Sequence, residues 1–345
     1  MEKRALGRSG LTLSALSFGA MTFNRDPDGL FAATGTTSGS EAQRIIDICL
    51  DRGITTFDTA DVYAGGQSEE ILGEVLGKNR KRAVVATKAF GDMGHGDHDV
   101  GLSRRHLIDA CDASLRRLGT DWIDLYQVHN VDGIVPVEET LRALDDLVRA
   151  GKVRYIGCSN HGGWQLMKAL GTSDRLGLER YIGQQIQYSL LVRDAEWELL
   201  PCGLDQGVGA LIWSPLAQGF LSGKFRQQSA DGTRLGARGG LKAWDTPRGN
   251  AILDEVLAIA QECGASASQV ALAWVMRRPG VTSVIVGARN EEQLQDNLGV
   301  LDVALSDEQM VRLDTVSQPP IQYPNSHQRF FGRARNPQAF ERYKS

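Results

Sequence analysis

Short apolar runs alternating with amphipathic helical stretches give this chain its rhythm. Leu107, Cys111, Ser114, Leu115 and Leu118 fall on one face of 103–118, and Leu141, Leu144, Leu147 and Val148 on one face of 138–150, a period that predicts two amphipathic helices. Three helix ends repeat one grammar: a glycine able to take the left-handed C′ conformation, then a β-rich run. They read LDRGITTFD at Gly53, VRAGKVRYIGCSN at Gly151 and LDQGVGALIWSP at Gly207. The apolar runs predict strands at Leu16–Gly19, Thr55–Asp58, Val84–Thr87, Ile123–Val128, Tyr155–Ser159, Gly183–Gln187, Ala210–Trp213 and Ser283–Val286. Nearly continuous apolar strands between helices belong in a parallel sheet covered on both faces. Eight of them predict an α/β fold closed into a (β/α)8 TIM barrel rather than an open doubly wound sheet. Upstream, RALGRSGLTLSAL holds two strand-like pieces around Ser9 and Gly10, a predicted hairpin across the barrel floor.

Three segments break the repeat: the Gly/Thr/Ser-rich 24–40, the loop 91–101, and a long Gly-, Arg- and Gln-rich excursion over 214–250. Barrel sites are built from loops that follow strands, so these are expected to be substrate and cofactor covers, with 214–250 the cofactor cover and 316–345 a C-terminal tail. A chain of 345 residues could hold two average domains, but a barrel takes this length as one, and a single domain over 1–345 is expected. A net charge of -4 gives no long-range attraction for nucleic acid or an anionic membrane, so small-molecule partners are expected. The five cysteines are scattered and form no C-x-x-C pair, which fits a reducing cytoplasm. The N-terminus lacks a signal-peptide pattern, and no later run is long enough for membrane insertion. Oligomeric state is left open by these features.

The candidate chemistry gathers at strand ends. Asp58 ends one predicted strand, Lys88 follows the next in VVATKAF, His129 follows the third in DLYQVHN, and Tyr63 lies on the loop of FDTADVYAGGQSEEILG. Strand C-termini converge on one mouth in a barrel, so the four side chains can meet. A buried ammonium needs a carboxylate, which Asp58 supplies. The paired ammonium beside a phenol favours the phenolate and lowers the tyrosine pKa toward a useful range. Tyr63 then becomes a proton donor to a carbonyl oxygen, and a neutral His129 can orient that carbonyl and stabilise the developing alkoxide. Singly, these residues read as a helix cap, a packing tyrosine, a surface amine and a core histidine; the interlocking set favours chemistry. His95 and His98 in HGDH sit close enough to suggest a metal, but no third ligand is evident and a polar loop is the better reading.

Around these residues the chain resembles the aldo-keto reductases. The motifs FDTADVYAGGQSEEILG, ATK, DLYQVHN, GKVRYIGCSN, QIQYSLL, WSPLAQGFLSGK and VIVGARNEEQLQDNL match in order, over roughly residues 3 to 315. The resemblance implies a barrel that binds NADP(H) in an extended form and interconverts a small carbonyl and alcohol substrate by hydride transfer. Asp58, Tyr63, Lys88 and His129 would be its catalytic tetrad. No G-x-G-x-x-G is present, so a Rossmann-type pyrophosphate turn is not expected. Ser159, Asn160 and Gln185 are spaced to bond both edges of a planar carboxamide, which the resemblance identifies as nicotinamide, and Trp213 can stack on its ring. The resemblance also implies a pyrophosphate loop, with Ser214 at its start, backbone contacts from Leu216, Gly219 and Leu221, and Lys224 supplying charge. In GARNEEQLQDNL, Gly287 and Arg289 precede Gln293, Asp296 and Asn297 at helical spacing. Arg289 can grip a 2′-phosphate while Gln293 and Asn297 reach adenine and ribose, which favours NADP over NAD.

The residue after His129 is Asn130, where some branches of the family place a bulky aromatic. The substrate wall is therefore expected to involve Asn130, Phe23, Phe90 and the aromatic tail YPNSHQRFFGRARNPQAF, which can cover the mouth or pack on another subunit. Two competing functions remain at this level. The resemblance extends to potassium-channel β subunits, which keep the barrel and cofactor site as binding partners. An isomerase or lyase with a Schiff base on Lys88 is the other, and Asp58 argues against it by keeping the lysine charged.

Overall fold

The computed structural model describes residues 1–29, 31–94, 96–226 and 243–335, so parts of the predicted 214–250 cover and of the 316–345 tail, together with His95, lie outside the described residues. Two short strands come first, β1 (Lys3–Ala5) and β2 (Thr12–Ser14), paired antiparallel. Eight more follow: β3 (Leu16–Gly19), β4 (Thr56–Asp58), β5 (Val84–Ala89), β6 (Ile123–Val128), β7 (Val153–Ser159), β8 (Tyr181–Gln187), β9 (Gly209–Trp213) and β10 (Val281–Val286). They run parallel and close into a barrel in chain order, β10 pairing β3 to seal it. This is the (β/α)8 TIM barrel with its N-terminal hairpin.

Helices α1 (Gly39–Asp51), α2 (Gln67–Leu76), α3 (Arg104–Leu118), α4 (Val137–Arg149), α5 (Gly163–Leu176) and α6 (Leu199–Gln206) surround it. Further helices among the described residues are α7 (Pro247–Cys263), α8 (Ala267–Met276), α9 (Glu291–Leu298), α10 (Asp307–Ser317) and α11 (Asn325–Arg335). The two helices predicted from periodicity are α3 and α4. On α3, Leu107, Cys111, Ser114 and Leu118 are buried, and Ser103 caps the start by accepting from the His106 amide at 3.2 Å. Leu115 and Val148 pack at the edge of the core. Among the described residues no helix is long and apolar enough to cross a membrane.

Two packing regions result. The larger lies between barrel and helices. The smaller fills the floor, where Leu6, Leu11 and Leu13 of the hairpin region meet Leu125, Leu211 and Ile285 from inside the barrel. Arg8 N donates to Gly207 O at 2.8 Å and fastens the plug to the start of β9. Five strands start one or two residues away from the sequence reading, and β5 differs at its end: Lys88 lies inside it, paired with Gln127, rather than after it. A charge ends an apolar run on paper, but here its partner, Asp58, sits on the neighbouring strand β4, and the ladder continues past Lys88 to Ala89.

Candidate active site

Lys88 is fully buried, and its Nζ lies 2.7 Å from Asp58 Oδ1 and 2.8 Å from the Thr59 carbonyl oxygen, to which it donates. Asp58 Oδ2 accepts from Gln185 Nε2 at 2.7 Å, so both carboxylate oxygens are occupied. Burial works to discharge Lys88, but the Asp58 carboxylate and then Tyr63, with which it hydrogen-bonds, outweigh that and hold its pKa above the ordinary lysine value. The ammonium also lies 5.1 Å from the centroid of the Tyr63 ring.

Tyr63 opens a tight turn over Tyr63–Gly66 in which Ala64 adopts φ 50°, a left-handed conformation for a residue with a Cβ. Its ring meets His129 edge-on, with centroids 5.7 Å apart at 78°. His129 is fixed through its backbone: its N–H donates to Ala89 O at 3.0 Å and its carbonyl accepts from Asn160 Nδ2 at 3.0 Å. Burial first, and the Lys88 ammonium second, push the His129 pKa down to about 3, so the imidazole is neutral at ordinary pH.

These side chains face a cleft of about 730 Å³ at the C-terminal ends of the strands. Its lining includes Asp58, Tyr63 and His129 together with Ser159, Asn160, Gln185, Trp213, Ser214, Leu216, Gly219, Lys224, Gly287, Arg289, Gln293, Asp296 and Asn297. Lys88 lies beneath it. Leu221 is fully buried in the core and its side chain is not in the lining. The predicted substrate-wall residues are placed elsewhere. Phe23 is fully buried and packs on Phe18 with centroids 5.5 Å apart, because the chain at Phe23 bridges to Thr37 and turns the ring inward. Phe90 packs against the core, and Asn130 turns its Oδ1 back to Val131 N at 2.9 Å. The wall beside Tyr63 is formed instead by Phe31, Met21, Thr22 and Val62, with the Phe31 ring 6.1 Å from that of Tyr63. The apolar pair Leu30–Phe31 within an otherwise polar loop was the available sequence signal.

Several groups along the cleft fit a dinucleotide. Asn160 uses its amide N–H on His129, which leaves its oxygen as an acceptor. Among the described residues Gln218 Oε1 and Trp213 Nε1 are buried without a hydrogen-bond partner. Ser214, Ala217, Gln218 and Gly219 all hold positive φ, folding the segment after β9 into a compact turn along the wall. Elsewhere in the lining, Lys224 and Arg289 lie close enough that Arg289, after burial, helps lower the Lys224 pKa. Among the described residues neither cation pairs with a carboxylate, so that part suits an anion. Among the described residues no group of three or more His, Cys, Asp or Glu side chains is gathered to hold a metal.

The family model described as "Aldo/keto reductase family" matches residues 15–318. Curated relatives carry two kinds of name. A probable voltage-gated potassium channel subunit beta of Arabidopsis thaliana is 38% identical over 315 residues, 88% of this chain and 92% of the relative. The uncharacterized oxidoreductase YrpG of Bacillus subtilis is 38% identical over 335 residues, 93% of this chain and 97% of the relative. The versiconal hemiacetal acetate reductase of Aspergillus parasiticus is 34% identical over 346 residues, 94% of this chain and 99% of the relative.

Proposed function

The chain belongs to the aldo/keto reductase family, and from that premise we propose that it is an NADP(H)-dependent oxidoreductase that reduces aldehydes or ketones to alcohols, reversibly, with Tyr63 as the general acid. The observation that carries the proposal is the buried Lys88–Asp58 pair directly under Tyr63, beside a neutral histidine, at the mouth of the cleft. When bound, the nicotinamide supplies the hydride that goes to the carbonyl carbon. Tyr63 gives its phenolic proton to the carbonyl oxygen as that oxygen gains charge. The Lys88 ammonium stabilises the phenolate left behind, and Asp58 keeps Lys88 charged and in place. His129, neutral and fixed through Ala89 and Asn160, donates a hydrogen bond that orients the carbonyl. In the alcohol-oxidising direction the same phenolate accepts the proton.

Ser159, Asn160, Gln185 and Trp213 would hold the nicotinamide end. The turn over Ser214–Gly219 would follow the pyrophosphate, and Lys224 and Arg289 the 2′-phosphate. The apolar wall of Phe31, Met21 and Val62 favours a carbonyl with an apolar substituent. A soluble reaction compartment, the cytoplasm, suits these small-molecule partners.

NADPH consumption with a panel of aldehydes and ketones tests the reading, in wild type and Tyr63→Phe. The variant should lose turnover by at least about a hundredfold while binding NADPH almost as well. Full turnover by Tyr63→Phe would overturn the mechanism. The similarity to proteins named as channel β subunits supports a second reading, a cofactor-binding regulatory subunit. Tight NADPH binding with no turnover on any carbonyl, and a stable complex with a purified channel protein, would favour it.

A further inference from the structure

One side chain ties the substrate wall of the cleft to its anion-binding part. The segment between β3 and α1 brings Phe31 to Tyr63, ring to ring at 6.1 Å. Two carbonyls just beyond, Ala33 O and Thr34 O, accept from Arg289 Nη2 at 2.5 Å and Arg289 Nε at 3.1 Å. The backbone joins the same pair of segments, with Thr37 Oγ1 donating to Arg289 O at 2.9 Å and Thr22 Oγ1 to Ala288 O at 3.0 Å. Arg289 itself lines the cleft together with Lys224.

We propose that Arg289 is a positioning residue for the substrate wall: through the Ala33 and Thr34 carbonyls it sets the placement of Phe31, so that an anion at the cofactor end and the carbonyl substrate are energetically coupled. The inference rests on the cofactor reading above. A guanidinium presents five N–H donors in one rigid plane. An anion that draws on that plane from the cleft side shifts or stiffens the same fork that holds the two carbonyls. Phe31 lies two residues from Ala33, close enough in the chain to follow it. By linkage the effect is reciprocal, each occupant changing the affinity for the other by the same factor.

Hydrogen–deuterium exchange on the ligand-free full chain reads the tether with no cofactor present. The amides of Ala32, Thr34 and Gly35 donate to Gly29, Phe31 and Ala32 carbonyls. In Arg289→Gln they should exchange about tenfold faster while α3 and β5 are unchanged. Arg289→Lys, which keeps the charge without the fork, should behave the same way. Wild-type exchange in both variants overturns the proposal. The carbonyl KM measured with NADH, which has no 2′-phosphate, then separates positioning from phosphate grip. Arg289→Gln should raise that KM about fivefold, Phe31→Ala by a similar factor, and the double variant no further than either alone. An unchanged KM, or effects that multiply in the double variant, also overturns it and leaves Arg289 a phosphate ligand. If NADPH and NADH fail to bind at all, the functional reading falls while the exchange result still decides the tether.

Discussion

At the scale of single residues, His129 is the group whose charge state decides which side chain can deliver a proton. Burial and the neighbouring Lys88 ammonium both oppose its protonation, and together they place its pKa near 3, against about 6.5 for an ordinary histidine. The imidazole therefore offers one N–H as a hydrogen-bond donor and has no acidic proton to give at neutral pH. On the proposed reading Tyr63 is then the proton donor at the cleft, and the phenolate it leaves would face the Lys88 ammonium. The prediction is spectroscopic: the His129 imidazole ¹⁵N shifts should stay at neutral-ring values from pH 8 down to about pH 4.5. A titration step for His129 between pH 6 and pH 7 would mean that the ring is solvated or paired differently, and the division of roles between His129 and Tyr63 would fail. A second consequence follows for rate profiles, where a limb near pH 6.5 in carbonyl reduction cannot be assigned to this histidine.

Elements hold these residues in register, and the floor of the barrel shows how tightly. Gly7 sits at φ 59°, and a Cβ there would lie 2.1 Å from Gly207 O and 2.7 Å from Gly209 N, where the hairpin meets the start of β9. Both the left-handed backbone and the contact forbid a side chain, so Gly7→Ala should lower stability by about 3 kcal/mol in urea unfolding. Gly133→Ala, with open space around it, is the control and should be nearly neutral. A wild-type midpoint for Gly7→Ala would show that the plug does not dock as described. The strands themselves were legible in the sequence because each is a short, mostly buried apolar run between helical stretches, and at Asp58 and Ser159 a polar residue marks the end. The wall was not legible. Phe23 and Phe31 are both aromatics in the segment after β3, and the Leu30–Phe31 pair marks an apolar spot there without saying which ring faces the cleft. Phe23 turns inward because its backbone bridges Thr37, while the segment carrying Phe31 is held by Arg289, 255 positions from Thr34. Lys88 was misplaced by one step for the same reason, since the partner that makes it tolerable inside β5 lies on another strand.

Over the whole molecule, two buried groups pull the pH dependence of stability in opposite directions. His129 has a depressed folded pKa, so its contribution is fully present above about 6.5 and is lost as pH falls toward 3. Asp61 behaves in the opposite sense. It is fully buried behind the Tyr63 turn, its Oδ1 accepts from Val62 N at 2.6 Å, and among the described residues its Oδ2 makes no hydrogen bond of good geometry, the Phe90 N–H acting on the carboxylate only weakly. Burial first, and then the Glu69 carboxylate, raise its pKa from 3.8 to about 7, with Val62 N–H, Arg117 and Phe90 N–H offsetting part of the rise. Glu69 is itself engaged by Arg117 Nε at 2.7 Å and Thr87 Oγ1 at 2.5 Å, so that arginine is already shared. A raised folded pKa means that the folded chain keeps a proton the unfolded chain releases, so this contribution is full below 3.8 and is lost as pH rises to 7. Between 3.8 and 6.5 the two slopes oppose each other and partly cancel in the wild type. Asp61→Asn removes one of them while leaving an oxygen to accept from Val62. Its stability relative to wild type should therefore climb by about 3 kcal/mol between pH 5 and pH 8, at roughly 1.4 kcal/mol per unit until Asp61 is ionised in both states. Urea midpoints for the two proteins across that range measure the difference. Parallel curves would mean that Asp61 is already ionised in the folded chain at pH 5, and that the buried space behind Tyr63 is more polar than its walls imply.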